Sequence, residues 1–227
     1  MTQCLWGLLL GYLIATWAES FFHHHIGHAS PRLRAFWARH PLIGKPFLDA
    51  FYAHHIIHHA RTFRRDFVTQ FIDDEERKRL DAILPPDLKD EIIRNKYGVT
   101  IKGLSVIWFV APVIPFVPLL FFAFGWVVTL SAAIPMFIIY PMMSKWLHPL
   151  IHKVEEDLLH TCTPFEQWVM NTWYMKQVVI DHFLHHEYIM CNFNLLRGGD
   201  FIRRLHRSPG PKDQREMRRI GLIRSPI

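Results

Sequence analysis

The sequence predicts an all-α fold: an integral membrane helical bundle with about three transmembrane helices and a cytoplasmic helical cap carrying a His-rich two-metal site. Three observations predict it. Met1 to Ala18 and Gly103 to Ser144 contain no charged residue. All 26 Lys and Arg residues fall outside those two tracts. Ten of the 16 histidines fall into four short groups that use only two spacings.

Taken in order, the N-terminal stretch rich in Leu, Gly and aromatics predicts a span over 3–22, since a bilayer core needs about 20 apolar helical residues. It lacks the basic start of a cleaved signal peptide, and histidines follow at once, so it reads as a retained helix. Glu19 reads as an interfacial carboxylate rather than as an acceptor for a neighbouring imidazole. The segment 23–102 is polar. Within it RTFRRDF (61–67) interleaves arginines with aromatics and suits lipid headgroups. Residues 71–98 mix acidic and basic side chains around Pro85-Pro86 and stop at Gly98, which predicts two solvated surface helices. The uncharged tract is too long for one span and right for two, at 103–122 and 125–144, with a turn near Phe122 to Trp126. Its five prolines are tolerable where neighbouring helices re-satisfy the backbone.

The distribution of positive charge places both polar segments, 23–102 and 145–227, on the cytoplasmic side. That topology puts Trp17 and Trp146 near the inner interface and Trp6 and Trp126 near the outer one. It also puts every histidine group on one face of the membrane, a result the histidines did not enter. Thr163 to Ile180 predicts a helix lying in the interface, and the basic residues of about 207–227 predict a flexible tail. The chain therefore reads as one domain, 1–227, of a multi-pass protein: endoplasmic reticulum if eukaryotic, inner membrane if bacterial. The net charge of +6 suits a membrane surface, and no nucleic-acid module is present. Cys4, Cys162 and Cys191 are odd in number and without metal spacing, which argues against a disulfide framework and for a reduced compartment on at least one side.

The histidine groups are His24 and His28; His55, His58 and His59; His148 and His152; and His182, His185 and His186. On an α-helix positions i, i+3 and i+4 share a face, so HxxxH and HxxHH each aim imidazoles at one point. Neutral imidazole suits Zn, Cu, Fe and Ni, and ten such ligands exceed what one ion accepts, which implies two ions. His23 pairs with His28 as an alternative HxxxxH, and the spacing leaves the roles of His25 and His54 open. Asp181, Asn192 and Asn194 are candidate acceptors that would orient the imidazole N–H groups.

HHIGHASP (24–31), HIIHH (55–59), HPLIH (148–152) and HFLHH followed by NFN (182–194) together resemble the membrane fatty acid hydroxylase and sterol desaturase superfamily. The order of these boxes relative to the apolar hairpin resembles it too. Two gaps, from His28 to His55 and from His152 to His182, are longer than the family's usual ones. The resemblance implies a helical membrane enzyme with two metal ions, most simply iron. It further implies O2 and electrons from a redox partner such as cytochrome b5 or ferredoxin with its reductase, used to hydroxylate or desaturate a lipid or fatty acyl chain. The chemistry is coherent without the family: an unactivated C–H bond resists acid, base and nucleophile, and an imidazole-only site holds a redox metal with no thiolate to oxidise. Two other classes remain, a desaturase or decarboxylase on the same scaffold and a non-redox metal-binding membrane protein in which zinc is the ion. A transporter is disfavoured because the hairpin spans contain no charged residue or histidine.

Overall fold

The computed structural model describes residues 1–62, 67, 71–84, 86–94 and 110–223. Among these the chain is all-helical, without a strand. Helix α1 (Thr2–Phe22) opens the chain and runs on through a π-helical turn, His23–Gly27. After α2 (Pro31–Arg39) and α3 (Pro41–Phe51) comes a longer π-helical segment, Tyr52–Thr62. The charged stretch forms α4 (Asp74–Ile83) and α5 (Pro86–Arg94), separated at the expected proline pair, and Asp73 caps α4 by accepting from Glu76 N.

The long apolar helix α6 spans Phe116–Ile151, with π-helical turns at Pro135–Ile139 and Met143–Leu147. It is interrupted at Gly125, whose φ of 80° a side chain would oppose. This break lies within the expected turn at 122–126. Among the described residues two helices, Thr2–Gly27 and Phe116–Ile151, are long and apolar enough to cross a membrane. That is one fewer than the three expected, and the first part of the expected span 103–122 lies outside the described residues. So does most of RTFRRDF.

Helices α1 and α6 meet through small residues. Gly7 and Gly11 face Val128, Ser131, Ala132 and Pro135 so closely that a Cβ on either glycine would collide with the α6 backbone. Small residues at four-residue spacing let two apolar helices approach in lipid, where no hydrophobic force drives them together. The opposite faces stay apolar: Leu5, Trp6, Leu9 and Leu13 of α1, and Phe122, Trp126, Leu130 and Ile138 of α6, are exposed.

The cap completes the fold with α7 (Glu155–Thr161), α8 (Pro164–Met170), α9 (Trp173–Tyr188), α10 (Gly199–Ile202) and α11 (Pro211–Arg219). The single interfacial helix expected over 163–180 is instead two. Thr163 and Glu166 form a capping box on α8, and Thr172 caps α9 through Met175 N, so the chain restarts between them. Trp168 and Trp173 are exposed beside the break. The flexible tail is also corrected. Met217 and Leu222 are buried in the main core, and buried Asp213 accepts from Tyr188 Oη at 2.5 Å. Met217 of α11, with Ile220, Leu222 and Ile223 just beyond it, packs into the core and outweighs the basic composition that suggested a solvated extension.

Glu19 is corrected as well. It is buried at 4% exposure, and its Oε2 accepts from Leu196 N at 2.8 Å and Asn194 Nδ2 at 3.0 Å. Ser20 Oγ donates to Asp200 at 2.6 Å, Gly199 N donates to Thr16 Oγ1 at 2.8 Å, and Thr16 Oγ1 donates to the Leu196 carbonyl. This polar staple fastens the end of α1 to residues 194–200, satisfying groups that would otherwise be costly to bury.

Candidate metal centre

Buried histidines gather into two clusters. The first holds His23, His28, His54, His59 and His185; the second holds His58, His152, His182 and His186. Within each, one ring nitrogen per residue lies within 4.8 Å of all the others. In the second cluster the Nε2 atoms form a closed ring, with His58–His152 at 3.3 Å, His152–His182 at 3.0 Å, His182–His186 at 3.2 Å and His186–His58 at 3.1 Å. His148 Nε2 approaches His182 Nε2 at 2.9 Å and so stands beside this ring as a fifth imidazole. In the first cluster the close pairs are His23–His54 at 2.7 Å, His54–His59 at 2.9 Å and His28–His185 at 3.1 Å, all between Nε2 atoms.

Local winding explains this membership. In a π-helical turn the hydrogen bond runs from i to i+5, and His28 N does donate to His23 O. His23 with His28, and His54 with His59, therefore come onto one face at a spacing of five. The α-helical pattern selected His24 and His55 in their place. His24 instead turns its Nδ1 to Arg203 Nη2 at 3.1 Å and lays its ring on Phe193. His55 lies outside the cluster, half-buried against Phe51, with its Nδ1 2.9 Å from Nδ1 of His28. The remaining predicted positions, His28, His58, His59, His148, His152, His182, His185 and His186, are brought into or against the two clusters. The i, i+5 spacing of His23 and His28 was the alternative the sequence offered, and the same spacing of His54 and His59 is the signal that α-helical reasoning passed over.

The three expected acceptors do not touch these rings. Asp181 pairs with Arg197 Nε at 2.7 Å and faces His206 Nε2 at 3.3 Å. Asn192 exchanges two hydrogen bonds with Arg207, and Asn194 joins the Glu19 staple and Asp200. Backbone carbonyls orient the imidazoles instead: Phe193 O for His23 Nδ1 at 2.5 Å, Cys191 O for His185 Nδ1 at 2.7 Å and Phe67 O for His152 Nδ1 at 3.2 Å. Asn192 and Asn194 flank Phe193 and lock the loop that presents its carbonyl, so their effect on His23 is indirect.

These bonds provide a test of fit for a metal. A carbonyl only accepts, so each of these Nδ1 atoms carries the proton and the opposite Nε2 of a neutral ring is a bare lone pair. The bare lone pairs of His23, His185 and His152 point at the Nε2 atoms of His54, His28 and His182 at 2.7, 3.1 and 3.0 Å, so each cluster gathers nitrogen donors around a space that a cation would fill. Two imidazole nitrogens each about 2.0–2.1 Å from one ion, at right to tetrahedral angles, are themselves about 3 Å apart. The donor set, its spacing and its protonation all fit metal ions. Burial first, and then the crowding of other imidazoles, holds His58, His59, His182 and His186 well below the usual histidine range. Burial lowers His152 to about 4 although the Phe67 carbonyl opposes the shift. The rings are thus neutral at physiological pH, the state in which imidazole can bind a metal.

Two consecutive pairs join the clusters. His59 and His185 belong to the first, and their neighbours His58 and His186 belong to the second. Adjacent residues on a helix point in different directions, so HH at the end of each HxxHH motif contributes to both clusters at once. The fold and the site together define a helical protein with two helices fit to cross a membrane and buried histidine clusters able to hold metal. No family model, curated protein or solved structure matches this chain.

Proposed function

We propose that the protein is a membrane-bound non-haem di-iron oxygenase that hydroxylates a lipid or fatty acyl chain, using O2 and electrons from an external donor protein. The observation that carries this reading is the pair of all-imidazole clusters joined through His58–His59 and His185–His186. Linked sites of neutral nitrogen ligands, free of thiolate, suit redox-active iron. When bound, such a metal pair supplies the oxidising power that an unactivated C–H bond demands. The chain's own residues hold the lone pairs in place, fix their tautomers through the carbonyls of Phe67, Cys191 and Phe193, and keep the rings buried. The exposed apolar faces of α1 and α6 favour a lipid substrate, and the charge pattern favours a site on the cytoplasmic face.

The test uses the full chain purified in detergent. Iron content is measured, and O2 uptake and product are followed with phospholipid or acyl substrate and a reducing system such as cytochrome b5 or ferredoxin with its reductase. About two irons per chain and an oxygenated acyl product support the reading. An alkene or a shortened chain redirects it to a desaturase or decarboxylase. A protein holding only zinc and inert towards O2 after iron reconstitution overturns it.

A further inference from the structure

His28 differs from the other oriented imidazoles in what its outer nitrogen meets. His23, His152 and His185 each turn Nδ1 to a backbone carbonyl. His28 turns Nδ1 to a side chain, Nδ1 of His55, at 2.9 Å, while its Nε2 lies 3.1 Å from Nε2 of His185 inside the first cluster. We infer that His55 is a positioning residue for the first metal centre, accepting the His28 Nδ1–H and thereby fixing the tautomer and aim of His28, rather than a metal ligand.

The tautomers follow from the geometry. With the His28 Nε2 lone pair directed into the cluster, the proton of a neutral ring must sit on Nδ1, which is then a donor. His55 Nδ1 facing it must be the acceptor, so His55 carries its own proton on Nε2. His55 is itself braced: its ring stacks on Phe51 at 5.0 Å and 21°, and the Arg34 guanidinium lies 4.5 Å over Phe51. His28 is buried at 8% exposure whereas His55 is half-buried, so the interaction runs from the centre outward. Groups that accept from the outer nitrogen of a metal-bound imidazole raise its basicity and hold its plane, and losing one typically weakens metal binding about 10- to 100-fold. His55 reaches the first cluster, through His28, so a metal in the second should not respond.

This inference rests on the two-metal reading, and the test is run on protein whose wild-type form holds two metal equivalents. If the wild type holds none, the function above fails; only the variants below bear on His55. Cobalt is titrated into metal-free wild type, His55→Asn, His55→Ala and His28→Ala, with the visible Co2+ bands and the affinity of each equivalent recorded. The expected result is that His55→Ala still takes two equivalents, one of them bound about 10- to 100-fold more weakly with shifted bands. His55→Asn, which returns an acceptor oxygen near the position of Nδ1, should restore both values, and His28→Ala should lose the equivalent outright. Loss of that equivalent in His55→Ala would make His55 a ligand and overturn the inference. Wild-type affinity and bands in His55→Ala, or no restoration in His55→Asn, would overturn it equally.

Discussion

His59 and His186 stack face to face, with ring centroids 4.1 Å apart and 21° between their planes. Yet His59 turns its Nε2 to His54 in one cluster and His186 turns its Nε2 to His58 in the other. The two clusters thus share a wall made of two imidazoles, and neighbouring residues on one helix belong to different clusters.

That division predicts a pattern of metal loss. His58→Ala and His59→Ala should each remove about one equivalent, from different clusters. His58→Ala combined with His152→Ala should lose no more than His58→Ala alone, whereas His59→Ala combined with His152→Ala should lose both. Metal analysis of the purified variants checks this. Equal loss in the two double variants would show that the clusters act as a single site. All four single replacements at His58, His59, His185 and His186 should abolish turnover while leaving the protein membrane-inserted.

The π-helical turn predicts a contrast between adjacent residues. His23→Ala should lose metal from the first cluster, and His24→Ala should keep it, since His24 is engaged with Arg203 and Phe193. Metal retention by His23→Ala would restore the HxxxH assignment.

This contrast marks the limit of what the sequence made legible. The helical class, the apolar segments, the proline break before α5 and the convergence of histidines all follow from composition and spacing, because burial and periodicity are local properties. The choice of His23 over His24 and of His54 over His55 depends on winding. No side chain announces a change from four to five residues in the hydrogen-bonded register. The carbonyls of Phe67, Cys191 and Phe193 were illegible for a different reason: they are backbone groups, and only the fold decides which of them faces an imidazole. Asp181, Asn192 and Asn194 had suitable chemistry and proximity in sequence, but their partners are Arg197, Arg207 and the Glu19 staple. Met217 shows the same limit at the other end of the chain, where a few apolar residues among many basic ones were enough to dock a helix.

Acid should destabilise the metal-free protein. Burial lowers His152 from 6.5 to about 4, so between those values the unfolded chain binds a proton that the folded chain does not. Stability then falls as pH drops below 6.5 and levels off below about 4, by roughly 3 kcal/mol for a residue of this kind. His58, His182 and His186 shift in the same direction. Metal binding should fade over the same range because protons compete for the lone pairs. Thermal melts of apo and metal-loaded protein from pH 7.5 to 5 check this, and an apo protein indifferent to pH would contradict the burial of neutral rings.

The docked C-terminal helix predicts a measurable contribution to stability. Met217 is fully buried, and replacing it with Ala should cost about 2–5 kcal/mol. A tail free in solvent would leave the melting temperature unchanged in Met217→Ala.

The seam between α1 and α6 connects packing to the site. A Cβ at Gly11 would strike the backbone of Ala132 and approach Pro135 Cγ at 2.7 Å, so even Gly11→Ala must push the helices apart. Backbone cannot yield as a flexible side chain can, and overpacking of this kind costs about 1–3 kcal/mol. The displacement should travel, because α1 runs directly into the turn that carries His23 and His28. Gly11→Leu is therefore expected to lower the melting temperature and to weaken metal binding at the first cluster more than at the second, because His23 and His28 at the end of α1 belong to the first cluster and not to the second. Leu9→Ala, on the exposed face of the same helix, should leave both measurements near wild type. If Gly11→Leu weakened both clusters equally, α1 would be acting on the whole fold rather than through His23 and His28.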